Sequence, residues 1–220
     1  MLIFDKMQQT TASIIEAIKQ LPFIIELMQG NLMNDIFSFY IQQDAFYLKD
    51  YARALALVGT RVETAEHCQQ FLQFALDGVA AENALHADYI SQLQQTANFV
   101  PCEISPSCFA YTHYLVRLAA LAPVEEAIAA LLPCFTIYYE IGTYIARHCK
   151  RMNNPYQKWI DMYSSEDFAK SVQQAIKIIN EIAAATTPLL QNKMLTAFVT
   201  ASKLEWQFWH SAYNKEAWLI

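Results

Sequence analysis

Three reactive side chains stand in strongly aromatic company at widely separated points of the sequence. Cys134 lies in Pro133-Cys134-Phe135-Thr136-Ile137-Tyr138, Asp44 in Phe39-Tyr40-Ile41-Gln42-Gln43-Asp44-Ala45-Phe46-Tyr47, and Glu205 in Glu205-Trp206-Gln207-Phe208-Trp209. A thiol can add to an electron-poor carbon and leave again, splitting one difficult displacement into two easier steps. A glutamate among aromatics tends to hold its proton and so can serve as an acid. Aspartate is a poor residue for a helix interior and costly to bury unpaired, so Asp44 within an aromatic stripe implies a partner. A thiol with two acids suggests covalent chemistry on a small flat molecule, uncharged or cationic. Each residue also has a plainer reading: Cys134 as a small buried hydrophobe, Asp44 bonded to a tyrosine hydroxyl, Glu205 half-exposed on a helix surface.

The elements that must position these groups read as helices. On a helix Cys134 and Tyr138 lie one above the other with Ile141 continuing the stripe, so thiol and phenol face one volume. Pro133 bends such a helix and frees a carbonyl one turn earlier. The thiol falls mid-helix, not at an N-terminus, so its activation needs a group from another segment. Asp44 shares a face with Phe37, Tyr40, Ile41, Tyr47 and Tyr51 on a segment expected from about Asn34 to Leu57. Further helices are expected from about Thr11 to Gln20, Glu63 to Gln95, Ser105-Pro106 to Leu121, and Pro123 towards Arg151. A short one around Trp159 to Tyr163 follows, then one opened by a capping box at Ser164 to Asp167, and one from Thr187-Pro188 to about Tyr213. Tyr47, Tyr111, Tyr138 and Tyr163 are placed by pattern near the three reactive groups.

Composition agrees with an all-α chain. The 220 residues are 55% hydrophobic with only 4 glycines and 7 prolines, enough for a substantial core and most simply one domain over 1–220. A net charge of -6 with scattered basic residues argues against nucleic acid. Five cysteines without a CxxC pair suit a reducing, cytoplasmic setting. No basic-then-apolar leader is visible at Met1-Leu2-Ile3-Phe4-Asp5-Lys6, and no uncharged run approaches the ~20 residues of a membrane span. Glu82 and His86 stand one turn apart, but di-iron bundles use Glu-x-x-His from two helices and no second copy exists, so no metal is expected. No glycine-rich phosphate loop, dinucleotide fingerprint or serine-hydrolase elbow occurs.

Several separated segments together resemble the TenA or thiaminase II family. They are Phe39 to Leu48, Tyr51-Ala52-Arg53-Ala54-Leu55-Ala56, Tyr111-Thr112-His113-Tyr114-Leu115, Leu131 to Tyr138, Trp159-Ile160-Asp161-Met162-Tyr163-Ser164-Ser165 and Glu205 to Trp209. The resemblance spans nearly the whole chain in order. It implies a single heme-oxygenase-like helical bundle, without heme or any other cofactor, that hydrolyses aminopyrimidines in thiamin salvage as a homotetramer. By the same resemblance Cys134 is the nucleophile and Glu205 the proton donor. Asp44, Tyr47, Tyr111, Tyr138 and Tyr163 contact a small-molecule substrate. The cysteine implies the branch acting on 4-amino-5-aminomethyl-2-methylpyrimidine, with thiamin slower. One departure is His210, where the family pattern has aspartate after Phe-Trp. It leaves open a binding or regulatory protein that holds a pyrimidine without turnover, and a metal oxidase of related architecture is a further rival.

Overall fold

The computed structural model describes residues 1–85 and 100–220, apart from the side chains of 82, 83 and 85. Among the described residues there are nine helices and no strand: α1 Ile3–Lys19, α2 Pro22–Gln29, α3 Asn34–Gly59, α4 Ala65–Leu85, α5 Pro106–Leu121, α6 Val124–His148, α7 Gln157–Tyr163, α8 Glu166–Ala184 and α9 Pro188–Tyr213. They fall into two compact units, one of Met1–Leu32 with Glu125–Trp206 and one of Met33–Val124 with Gln207–Ile220. The Glu82–His86 pair lies outside the described residues.

In the first unit α1 starts eight residues ahead of the expected Thr11. The polar run Gln8-Gln9-Thr10-Thr11 hides the period, yet Ile3, Phe4, Met7, Thr11, Ile15 and Ile18 form one buried stripe. Thr11 joins it because its hydroxyl donates to the Met7 carbonyl at 2.8 Å, which satisfies the polar group inside the helix. Helix α2 ends on Gly30 in the left-handed conformation (φ 69°) that a side chain rarely adopts. Its last carbonyls are capped from far along the chain: Arg151 donates to Gly30, and Asn154 Nδ2 to Leu27 at 3.0 Å and Met28 at 3.2 Å. Arg151 therefore lies past the end of α6 and serves α2 instead.

Helix α6 is the core helix of this unit. It is long and apolar enough by composition alone to cross a bilayer, but its run from Ala127 to Pro133 is buried in the protein. Pro133 sits inside the helical span. Gly142, nine residues on, lies against α7: a methyl group there would come 2.7 Å from Tyr163 Cβ. Helix α8 begins one residue later than expected. Ser165 is the cap, accepting from Phe168 N–H at 3.1 Å, because the Ser164 hydroxyl is engaged with the Ile160 carbonyl at 2.7 Å at the end of α7.

In the second unit α3 packs against both α4 and α5. Ser105 caps α5, accepting from Cys108 N–H at 3.2 Å, and Pro106 takes the first turn, where its missing donor does no harm. Arg61 closes the other end by donating to the carbonyls of Leu118, Ala119 and Ala122. The C-terminal segment is tied into the same unit. Glu216 accepts from Ser107 N–H at 2.9 Å, and Trp218 Nε1 donates to the Ile104 carbonyl at 2.9 Å.

Candidate active site

The seven residues singled out by their chemistry divide between the units, Asp44, Tyr47 and Tyr111 in the second and Cys134, Tyr138, Tyr163 and Glu205 in the first. Within the second unit, α3 buries Asp44 to 2% exposure. Its Oδ2 finds no hydrogen-bond partner among the described residues, so the tyrosine-bonded reading does not account for that oxygen. Burial pushes the carboxyl up to about 7. One turn further along α3 the Tyr47 ring stacks on Tyr51 at 5.4 Å and 18°. It also stands 5.0 Å from the ring of Tyr111 on α5 and 5.6 Å from that of Phe208. Tyr40, one turn before Asp44, meets Phe208 edge-on at 5.9 Å. A carboxyl that keeps its proton near neutrality thus shares a helix face with flat aromatic surfaces.

Within the first unit, Cys134 is of intermediate exposure, where its plainer reading expects a buried residue. Tyr138, one turn on, is buried with its ring 4.7 Å from Tyr163 and 6.2 Å from Trp159. Trp159 and Tyr163, one turn apart on α7, are 4.7 Å from each other, and Phe168 closes edge-on upon Tyr163 at 5.4 Å. Glu205 on α9 is only 1% exposed, which removes the reading of a surface glutamate. His210, the departure from the family pattern, is exposed near Asn214 at the end of the same helix.

Two other thiols are poor candidates for a nucleophile. Burial pushes both Cys102 and Cys108 up, so each stays a neutral thiol held in hydrogen bonds. Among the described residues no three or more His, Cys, Asp and Glu side chains form a metal-holding group.

Sequence reasoning missed residues on both sides. Trp159 and Phe208 complete the two aromatic clusters, and their signal was present as large aromatics one turn from predicted tyrosine or glutamate positions. Gly142 was the one glycine inside the expected α6 pattern, a sign of close backbone approach. Gln43 gave no signal at all, yet it is buried at 1% exposure beside Asp44.

An all-α chain with a half-exposed cysteine and two buried carboxyls near aromatic rings is a helical protein of heme-oxygenase-like fold. A domain from Shewanella denitrificans described by that fold superposes with a TM-score of 0.75 at 15% identity, covering 96% of this chain and 92% of that one. A TenA homologue from Pyrococcus furiosus superposes with a TM-score of 0.88 at 22% identity, covering 96% of this chain and all (100%) of that one.

The chain belongs to the TENA/THI-4/PQQC family, whose family model matches residues 5–215. It is 32% identical over 201 residues to the aminopyrimidine aminohydrolase of Bacillus subtilis, covering 90% of this chain and 84% of that protein. It is 33% identical over 202 residues to the aminopyrimidine aminohydrolase of Halalkalibacterium halodurans, covering 90% and 89%.

Proposed function

We propose that this protein is an aminopyrimidine aminohydrolase of the thiaminase II type. It converts 4-amino-5-aminomethyl-2-methylpyrimidine and water into the 5-hydroxymethyl pyrimidine and ammonia in thiamin salvage, and hydrolyses thiamin more slowly. The observation that carries the reading is the Asp44 carboxyl, buried with one oxygen unpartnered among the described residues and raised by that burial to about 7. A carboxyl that keeps its proton offers one donor beside one acceptor. The 4-aminopyrimidine edge offers the mirror pattern, a ring nitrogen that accepts beside an amino group that donates, so two hydrogen bonds form at once. The rings of Tyr47 and Tyr111, tilted at 5.0 Å, and of Tyr138 and Tyr163, tilted at 4.7 Å, supply flat walls of the kind a pyrimidine packs against.

The chemistry then assigns the two remaining groups. The Cys134 sulfur adds to the ring carbon next to the substituted one, and its proton passes to the adjacent ring nitrogen. That addition interrupts aromaticity and lets the 4-amino lone pair push out the amine on the 5-methylene. Glu205 supplies the proton with which it leaves as ammonia. Water adds to the exocyclic methylene and returns a proton to Glu205, and the sulfur departs with the proton held on the ring nitrogen. Every proton lent is returned, and the net reaction is amine exchanged for hydroxyl. Nucleophile and acid suffice for these steps, so neither metal nor organic cofactor is invoked. The protein works on this small molecule as a homotetramer in the cytoplasm.

The test is ammonia release from the aminomethyl pyrimidine by the purified protein, with a chelator control and with sedimentation to give the assembly. Turnover by the wild type that is absent in Cys134→Ser supports the reading. Wild-type protein that binds the pyrimidine without releasing ammonia would make it a pyrimidine-holding protein instead.

A further inference from the structure

Gln43 precedes Asp44 on α3, and its buried side-chain amide is fully engaged. Nε2 donates to the Glu103 carbonyl at 2.8 Å and lies 3.2 Å from Cys102 Sγ, while Oε1 accepts from Ser105 N–H at 2.8 Å. The backbone carbonyl of Gln43 also accepts from Cys108 Sγ at 3.4 Å. One residue of α3 thus holds the chain just before α5, the cap of α5 and its first turn, at contacts 59 to 65 residues away in sequence.

We propose that Gln43 is the positioning residue for the pyrimidine contacts Asp44, Tyr47 and Tyr111. Its amide pins the start of α5 to α3 and so sets where the Tyr111 ring stands against Tyr47 and Asp44. The inference rests on reading Asp44, Tyr47 and Tyr111 as substrate contacts. The lever is short: Tyr111 lies six residues after Ser105, about 9 Å at ~1.5 Å per residue, and Tyr47 one turn after Gln43. Ser105 cannot replace the clamp by itself, because its hydroxyl already serves Cys108 N–H and its own N–H has Gln43 as partner. Without the Gln43 amide, the buried Ser105 N–H and the part-buried Glu103 carbonyl lose their partners together, and the stable response is for the start of α5 to move away from α3.

The neighbouring Gln42 provides the control. It holds the same connection further out, accepting from Cys102 N–H at 3.0 Å and donating to the Val100 carbonyl at 3.3 Å, without touching the cap of α5.

The experiment compares wild type with Gln43→Met, which keeps the length and removes every side-chain polar contact, Gln43→Glu, which keeps of these only the acceptor for Ser105, and Gln42→Met. Amide hydrogen exchange of residues 105–111, measured without ligand, is expected to quicken in Gln43→Met and stay unchanged in Gln42→Met. The KM for the aminomethyl pyrimidine should rise about tenfold in Gln43→Met with kcat within about threefold, since a ~1 Å misplacement can cost ~100-fold. The Kd of the hydroxymethyl pyrimidine, read by intrinsic fluorescence, should rise by the same factor as KM. Gln43→Glu falls between, and carries the comparison if the methionine variant does not fold. Unchanged exchange over 105–111 overturns the clamp, and a lowered Tm with wild-type KM and Kd assigns Gln43 to folding alone and overturns it too. Failure of the wild type to release ammonia sinks the proposed activity instead, and the exchange and fluorescence measurements then decide on the clamp.

Discussion

Replacing Gly142 with alanine tests the geometry of the aromatic wall directly. A Cβ built at Gly142 stands 2.7 Å from Tyr163 Cβ and 2.8 Å from both its carbonyl carbon and oxygen. Ordinary carbon contacts lie at about 3.5 to 4.0 Å, so the shortfall is about 1 Å. Two of the three atoms belong to the backbone at the end of α7, so no rotamer change relieves the clash and α7 itself must shift. Overpacking of this kind costs about 1 to 3 kcal/mol, while alanine returns up to about 1 kcal/mol of helix propensity over glycine. The expected net loss is about 0 to 3 kcal/mol, read as a fall in Tm of up to roughly 12 °C at ~2 to 4 °C per kcal/mol for a chain of this size. Activity should fall further than stability does. The Tyr163 ring is carried away from Tyr138 and Trp159, both now 4.7 Å distant, and a ~1 Å displacement at a reacting site can cost ~100-fold. Thermal unfolding by circular dichroism and ammonia-release kinetics at 25 °C, where the variant remains folded, measure the two effects separately. Gly78→Ala is the control. Its Cβ would meet Ala52 Cβ at an ordinary 3.6 Å, so Tm should hold or rise. Gly142→Ala with Tm and KM both at wild-type values would refute the argument.

Asp44→Asn should stabilise the protein at pH 8 and lose that advantage as pH falls towards 4. The folded carboxyl at about 7 sits above its ordinary 3.8, so the folded state binds the proton more tightly and stability declines as pH rises between those values. At 1.36 kcal/mol per pH unit the span corresponds to about 4 kcal/mol, and equal Tm differences at pH 5 and pH 8 would contradict it. Cys134→Ser should bind the hydroxymethyl pyrimidine normally and release no ammonia, whereas wild-type turnover would remove the covalent step. Glu205→Gln should lower kcat by ~100 to 10,000-fold with little change in KM, as expected of a lost proton donor. A large rise in KM at unchanged kcat would make Glu205 a recognition residue.

What could be read from the sequence follows the range of each interaction. The starts of α5 and α9 were visible because a cap and its partner sit three residues apart, as with Ser105 and Cys108, and Thr187 and Leu190. Ser164 was mistaken for the cap of α8 because composition does not reveal that its hydroxyl was already spent on Ile160. The start of α1 was lost for a related reason, since Thr11 counts as polar until its bond to Met7 makes it part of the buried stripe. The burial of Asp44 and Glu205 was legible because each breaks a local rule: a carboxyl amid aromatics at helical spacing needs an explanation in function. Pro133 stood out in the same way, as a residue that an ordinary helix avoids.

Gln43 breaks no rule. Beside Gln42 it reads as part of a polar helix face, and the carbonyl and N–H that require it lie 60 and 62 residues away. The same holds for Arg151, whose partner Gly30 is 121 residues distant. A residue that performs chemistry must be chemically unusual where it stands, and a single sequence displays that. A residue that positions another needs only to be ordinary and correctly placed, so its role emerges only when the helices are packed.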